Sequence, residues 1–312
     1  MEVVKFSNME NLTFKFKNMS IDISNPIKLI KDFGEVITSP KLSVIIVTWS
    51  RENELIDCLN GLEHQAEKQF EITIVDNGNS NLSNYESRNL KYIQLIKNFR
   101  PSLARNVGLH FARARIIAFL DDDAVPGRRW VEKILSSFKN NKIIALRGKI
   151  ISKSAENIYN LLTTHYDLGK VIIPSFIDTE GNCAFDKGKL LKVHGFNPQV
   201  FSSEGLELTY RLILNGNIRF SIYDPSVVVY HNYCDSFLHF LSKYIRYGKN
   251  SKILERQNPK LSKFEQEYLS LRKIKGDMDL NLLLNLKLQF LKKIGVLASI
   301  LGAIISKYVN FN

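Results

Sequence analysis

Between residues 42 and 123, short apolar runs alternate with segments whose apolar positions recur every three or four residues. The run Leu42-Ser43-Val44-Ile45-Ile46-Val47-Thr48 is dense in β-branched side chains, the pattern of a strand covered on both faces. Behind it Ser50 offers a helix N-cap, and Leu55, Leu59 and Leu62 fall at helical spacing. A second strand is predicted over 70–75, closed by the turn residues Asp76-Asn77-Gly78-Asn79, and a third over 92–96. Ser102 then opens a predicted helix with Leu103, Val107 and Phe111 on one face, and 116–120 reads as a fourth strand. Strands alternating with helices imply a doubly wound, mostly parallel sheet of the α/β class. Such a sheet delivers the carboxyl ends of its strands, with Thr48, Asp76, Asn98 and Asp121, to one rim, which is where ligands bind in open α/β folds.

Outside this core the pattern is looser. Residues 1–40 form a polar, Asn- and Lys-rich lead-in, expected to be a small β-type extension ending at Ser39-Pro40. Past the fourth strand, 145–151 reads as a strand and a poorly patterned stretch runs to about residue 175. Leu206, Tyr210, Ile213 and Leu214 mark a helix predicted to stop at Asn215-Gly216, and strands over 218–223 and 226–230 follow, separated by Asp224-Pro225. From 236 to 309 the pattern is helical, with apolar stripes such as Leu282, Leu283, Leu286 and Phe290. The expected organisation is an extension (1–40), an α/β ligand-binding domain (41–232) and a helical C-terminal region (233–312).

The fourth strand stops on Asp121-Asp122-Asp123. Three adjacent carboxylates repel one another and are almost never buried unless something pairs them, so a strand ending this way delivers them to a polar site. Hard oxygen ligands at alternate positions, Asp121 and Asp123, suit Mg²⁺ or Mn²⁺, which in turn favour phosphate oxygens. A solvated acidic turn is the structural alternative.

Composition changes the picture at the C-terminal end. A 312-residue chain with 45% hydrophobic and 24% charged residues is ordinary for a globular protein, but the net charge of +12 is not. Residues 234–312 hold 14 Lys plus Arg against 6 Asp plus Glu, a net +8. Basic amphipathic helices with a short apolar finish at 294–305 suit lying on an anionic membrane surface; about a dozen residues fall short of the roughly 20 that a crossing needs. A helical layer on the α/β domain, or a homo-oligomer contact, is the competing reading. No nucleic-acid reader motif accompanies the charge, so no nucleic-acid partner is expected. Cys58, Cys183 and Cys234 are far apart and lack CxxC spacing, which argues against a disulfide framework or a zinc site and for a reducing cytoplasm. No N-terminal leader pattern stands out, and the expected location is cytoplasmic or peripheral on the cytoplasmic membrane face.

The chain resembles the family 2 glycosyltransferases, nucleotide-sugar enzymes of GT-A (Rossmann-like) fold. The resemblance is carried in order by Ser43 to Trp49, Ile74-Val75-Asp76-Asn77-Gly78, Ala104-Arg105-Asn106-Val107-Gly108 and the Phe119-Leu120-Asp121-Asp122-Asp123 turn. It continues through Gly181-Asn182-Cys183-Ala184-Phe185, Gly195-Phe196, Glu207-Leu208-Thr209-Tyr210-Arg211 and Asp224 to His231. It implies a metal-dependent transfer, with inversion, of a sugar from a nucleoside-diphosphate donor, expected to be a UDP-sugar, to a glycan, lipid-linked or peptide acceptor. Asp76 would accept from a uracil-type base, Thr48 and Trp49 would wall the base pocket, and Asp122 would join the nucleotide-binding set. Arg105, predicted in the first turn of its helix, would face the diphosphate. Asp121 and Asp123 would hold Mn²⁺ or Mg²⁺, with His231 as a further ligand. The departure lies at Ser203-Glu204-Gly205: the family places an Asp, its general base, where Gly205 stands. Glu204 is the nearest replacement and Glu207 the next, although Glu207 also sits four residues before Arg211. The competing function is a catalytically impaired relative that binds nucleotide sugar or glycan as a partner subunit. A nucleotidyltransferase on a related sheet, which would release pyrophosphate, is a third.

Overall fold

The computed structural model describes residues 13–16, 19–22, 26–78, 89–154, 156–163, 166–200, 203–214, 218–264 and 282–306. Two compact units emerge, one of residues 1–150 and 169–230 and the other of 151–168 and 231–312. The boundaries therefore differ from the expected ones: 151–168 groups with the C-terminal helices.

In the first unit, β1 (Thr13–Phe16) and β2 (Met19–Asp22) form a separate hairpin. A ten-stranded sheet is built around β4 (Leu42–Thr48), β5 (Phe70–Asp76), β6 (Leu90–Leu95) and β7 (Ile116–Asp121), which run parallel in the order β6-β5-β4-β7. All seven residues of β5 are buried, as are six of seven in β4, which is why these strands read as unbroken apolar runs. Both flanks are antiparallel. On one side β3 (Ile27–Phe33) pairs with β6, so part of the lead-in is an edge strand of the main sheet. On the other, β11 (Asn182–Asp186) joins β7 to β9 (Ala145–Ile151), and β12 (Ser221–Tyr230) pairs with β10 (Ile173–Pro174) and β8 (Val125–Pro126).

Helices α1 (Glu52–Glu63) and α2 (Arg100–Phe111) follow β4 and β6 and bury the predicted faces, Leu55, Leu59 and Leu62 on one and Leu103 and Val107 on the other. Gly108 lets α2 lie close to the sheet: a Cβ there would stand 2.4 Å from Ile45 Cγ2 and 3.2 Å from Val75 Cγ2. A methyl would improve helix propensity by about 1 kcal/mol but overpack two fully buried side chains at about 1–3 kcal/mol, so the close approach dominates. The remaining helices of this unit are α3 (Trp130–Ser137), α4 (Lys187–Lys192) and α5 (Glu204–Leu214).

Two predicted boundaries are corrected. Helix α2 starts at Arg100, not Ser102, because Pro101 is suited to the first turn; Arg105 consequently lies in the second turn, where the macrodipole is weaker. Strand β12 runs through Asp224-Pro225 without a break, pairing with β10 at Ile222 and Tyr223 before the proline and with β8 at Val229 and Tyr230 after it. The predicted stop at Asn215-Gly216 lies outside the described residues.

The second unit is built on α6 (Phe237–Gln257) and α7 (Leu282–Ile305). Gly248 lies against Ser299 and Gly302 against Ile245, so the helices run antiparallel at backbone contact. Phe240, Tyr233 and Cys234 form the core, packed by Tyr159, Tyr166, Leu291 and Ile294. Helix α7 corrects the expectation that nothing here is long enough to cross a bilayer: Leu286–Ile305 spans 20 residues at mean hydropathy 1.7, sufficient by length and composition. The apolar finish at 294–305 begins just past Lys292-Lys293, and one helix continues through both lysines.

Candidate active site

Register fixes the rim. Thr48 pairs with Asp76 and Val47 with Asp121, so the ends of three parallel strands reach the same level. Asn77 and Asn98 lock the loops beyond, Asn77 donating to Asn98 Oδ1 at 3.0 Å while its own Oδ1 accepts from the Phe99 N–H at 2.8 Å.

The three aspartates after β7 diverge. Asp122 points into the protein, accepting from the Thr48 hydroxyl at 2.8 Å and from Arg51 at 3.2 Å. Burial, aided by Asp123 and opposed by Arg51, pushes the Asp122 carboxyl up to about 7. Asp121 and Asp123 remain partly open, and their carboxylate oxygens come within 4.8 Å of each other. Arg51 reaches Asp123 at 2.5 Å. Two part-exposed carboxylates converging at alternate positions are a donor set that fits a hard divalent cation.

Arg105 enters from α2, nearly buried, with Asp121 at 3.8 Å, Glu204 at 4.0 Å and the Phe196 ring 5.4 Å beneath its guanidinium. Burial works against its charge, but Glu204, Glu180 and Asp121 outweigh that and hold its pKa above the ordinary value. Its Nη1 is buried without a hydrogen bond. Glu204 opens α5, and both it and Glu207 are buried. Glu207 is committed elsewhere: its two oxygens accept from Arg211 at 2.8 and 2.6 Å, and Arg211 also donates to the carbonyls of Val193 and Gly195.

Asp76 is fully buried, accepting from the Tyr92 hydroxyl at 2.6 Å and from the Gly78 N–H at 3.1 Å in an Asx-turn. Thr48 is buried, whereas Trp49 is 56% exposed and presents an aromatic face at the end of β4. His231 opens the second unit, one peptide bond beyond Tyr230; its N–H donates to the Ile151 carbonyl at 2.9 Å and its ring Nδ1 lies 3.4 Å from the Tyr166 hydroxyl.

Two participants escaped the sequence reading. Arg51 could have been found from its place three residues beyond the end of β4. Glu180 directly precedes the Gly181-Asn182 pair but carries no spacing signal; the fold brings its carboxylate to the start of α5, where Oε1 accepts from the Gly205 N–H at 2.5 Å. Burial, and then the Glu204 charge, raise the Glu180 carboxyl to about 7, with Arg105 pulling the other way.

Comparison with known proteins bears on the family and the fold. Residues 43–197 match Glycosyl transferase family 2. A curated relative, the pre-mycofactocin glycosyltransferase of Mycobacterium tuberculosis, is 28% identical over 170 residues, 51% of this chain and 36% of its own length. The validoxylamine A glucosyltransferase of Streptomyces hygroscopicus is 34% identical over 107 residues, 31% of this chain and 24% of its own. The chain thus spans about a third or less of these relatives. Among solved structures, the mannosyltransferase PcManGT from Pyrobaculum calidifontis, in complex with GDP-Man and Mn²⁺, superposes with a TM-score of 0.58 at 16% identity over 89% of this chain and 90% of that one. Staphylococcus aureus TarS 1–349 with UDP-GlcNAc gives 0.54 at 18% identity over 83% and 81%. At these identities the likeness is one of fold, and together with the family match it makes the chain, through residues 43–197, a member of glycosyl transferase family 2 with a GT-A sheet.

Proposed function

We propose that the protein transfers a sugar from a nucleoside-diphosphate donor to an acceptor, with a divalent cation and with inversion at the anomeric carbon. One observation carries the reading: at the rim five carboxylates, Asp121, Asp122, Asp123, Glu180 and Glu204, gather around two guanidiniums, Arg51 and Arg105. A rim so acidic repels a diphosphate unless a cation is bound with it. Asp121 and Asp123 would hold Mn²⁺ or Mg²⁺. His231 is proposed as the third ligand, supported by its place next to Tyr230, which pairs with Val125 two residues past Asp123. The cation would neutralise charge on the departing diphosphate. Arg105 orients that diphosphate, with its buried Nη1 as the donor to be satisfied. Trp49 stacks on the base, Asp76 accepts from its N–H, and Asp122 with Thr48 keeps β4 and β7 in register beneath them.

A panel of UDP- and GDP-sugars tested by thermal shift decides the matter. At 100 times Kd a donor stabilises by about 2.7 kcal/mol, a rise of several degrees in Tm, and that rise is expected only with Mn²⁺ present. Absence of any shift, with or without metal, removes the reading.

The acceptor is proposed to be membrane-proximal. Helix α7 leaves Leu286, Phe290, Leu297 and Ile300 more than half exposed and carries Lys287, Lys292 and Lys293. With about 1 kcal/mol per lysine at an anionic surface, phosphatidylserine vesicles should capture the protein on the order of 10² times better than neutral phosphatidylcholine vesicles at low salt. Equal capture, or none, argues for a soluble acceptor.

A further inference from the structure

We propose that Glu180 is the proton acceptor of the transfer reaction, its carboxylate occupying the place that Gly205 leaves at the start of α5. The inference deepens the sugar-transfer reading and rests on it. A Cβ at position 205 would lie 2.8 Å from Glu180 Oε1 and 2.7 Å from the Ile177 carbonyl oxygen. A side chain at 205 and the observed Glu180 carboxylate therefore compete for one volume. The missing residue has left a space, and another carboxylate has been delivered into it and anchored by the Gly205 N–H.

Glu180 is also at the right level of the fold. The Asp121 N–H donates to the Gly181 carbonyl, continuing the pairing of Asn182 with Leu120, so the residue before Gly181 emerges on the rim where Asp121 ends β7. Of the three glutamates near the start of α5, Glu204 and Glu207 are buried while Glu180 keeps part of its surface open. Glu207 is held by both its oxygens and Glu204 faces Arg105. Glu180 is the one of the three whose carboxylate lies in the volume that a side chain at 205 would take.

The charged and titratable groups around it are Glu204 from α5, Arg105 from α2 and Cys183 from β11, whose thiol donates to the Glu180 backbone carbonyl at 3.4 Å. Asp121 faces Arg105 from β7. Burial and Glu204 together make the carboxylate a better proton acceptor than a solvated glutamate, since a base works best when its pKa lies near the working pH. In the transfer, the acceptor hydroxyl gives its proton to Glu180 while its oxygen bonds to the anomeric carbon. The bond from that carbon to the diphosphate oxygen breaks, and its electron pair leaves with the nucleoside diphosphate.

The test uses the full chain with Mn²⁺, UDP-N-acetylglucosamine and GDP-mannose as donors and water as acceptor. Glu180→Gln is expected to lower kcat by about 10²–10⁴-fold while donor KM and the Mn²⁺-dependent thermal shift stay within about twofold of the unmodified protein. The fall in rate at acid pH disappears in this variant, and formate restores turnover to Glu180→Ala, which a purely structural role would not allow. Glu204→Gln instead raises KM, because Arg105 loses its partner. The inference is overturned if Glu180→Gln turns over donor at the unmodified rate with the same pH profile, or if Glu204→Gln alone loses kcat. Should the unmodified protein neither bind nor hydrolyse any donor, the sugar-transfer reading fails first and takes the inference with it.

Discussion

With Asp121 and Asp123 both replaced by Asn, the protein is expected to remain folded, to lose about 10³-fold in donor turnover and to bind donor with an affinity that no longer depends on Mn²⁺. The fold survives because both carboxylates are part-exposed and neither anchors a strand; that task falls to Asp122, which bonds Thr48 across the sheet. Arg105 keeps Glu204 as its counter-charge and Arg51 keeps Asp122. Turnover falls because charge developing on a leaving diphosphate would no longer be offset, and a single well-placed electrostatic contact at such a position contributes about 10²–10³-fold.

The sign of the metal-free behaviour separates this account from simple damage to the site. Like charges about 4 Å apart repel by a few kcal/mol at an effective dielectric of about 20, so without Mn²⁺ the acidic turn should hinder an anionic donor. Removing two of its charges then leaves metal-free donor binding unchanged or tighter. Calorimetric titration with and without Mn²⁺ reads both arms. Weaker donor binding by the double variant in the absence of metal contradicts the account, as does a rate that survives the double substitution.

What the sequence disclosed follows from where physics is local. Strands β4, β5 and β7 lie in the middle of the sheet with both faces covered, so burial alone forces their β-branched runs, and Leu55, Leu59 and Leu62 announce α1 by spacing. The acidic turn was legible because three carboxylates after an apolar strand have few alternatives. The antiparallel flank was not. Strand β10 is two residues long and β8 is two residues long, each defined by its partner in β12 rather than by its own pattern. Edge strand β3 likewise belongs to the sheet only through β6.

Within the site the same division holds. Thr48 reaches the rim as read, yet its hydroxyl turns to Asp122, a choice made by a residue 74 positions away. Glu180 meets Gly205 across 25 positions. No periodicity marks such a meeting, and the empty position at Gly205 was visible in the sequence while its occupant was not. Gly205 on its own favours an impaired relative; Gly205 together with the Glu180 carboxylate inside its space favours an enzyme whose base has moved.

Glu207 provides the second large effect, on stability. Replacing it by Ala should lower the melting temperature by roughly 10 °C, from a loss of about 3–5 kcal/mol at about 2–4 °C per kcal/mol for a unit of this size. The bidentate pair with Arg211 is 3% exposed on the Glu207 side and 13% on the Arg211 side. Deleting the glutamate leaves a buried guanidinium that keeps its bonds to the Val193 and Gly195 carbonyls, and those two bonds place the loss at the lower end of the range. Because Arg211 holds that loop against α5, the helix that begins with Glu204 loses its brace as well. Glu207→Gln, which retains one acceptor, should cost less. Glu207→Leu combined with Arg211→Met should recover much of the loss, since an apolar pair of similar volume replaces both charges at once. A Glu207→Ala protein melting within about 2 °C of the unmodified chain, with its rate reduced instead, would return Glu207 to the reaction and take the brace away.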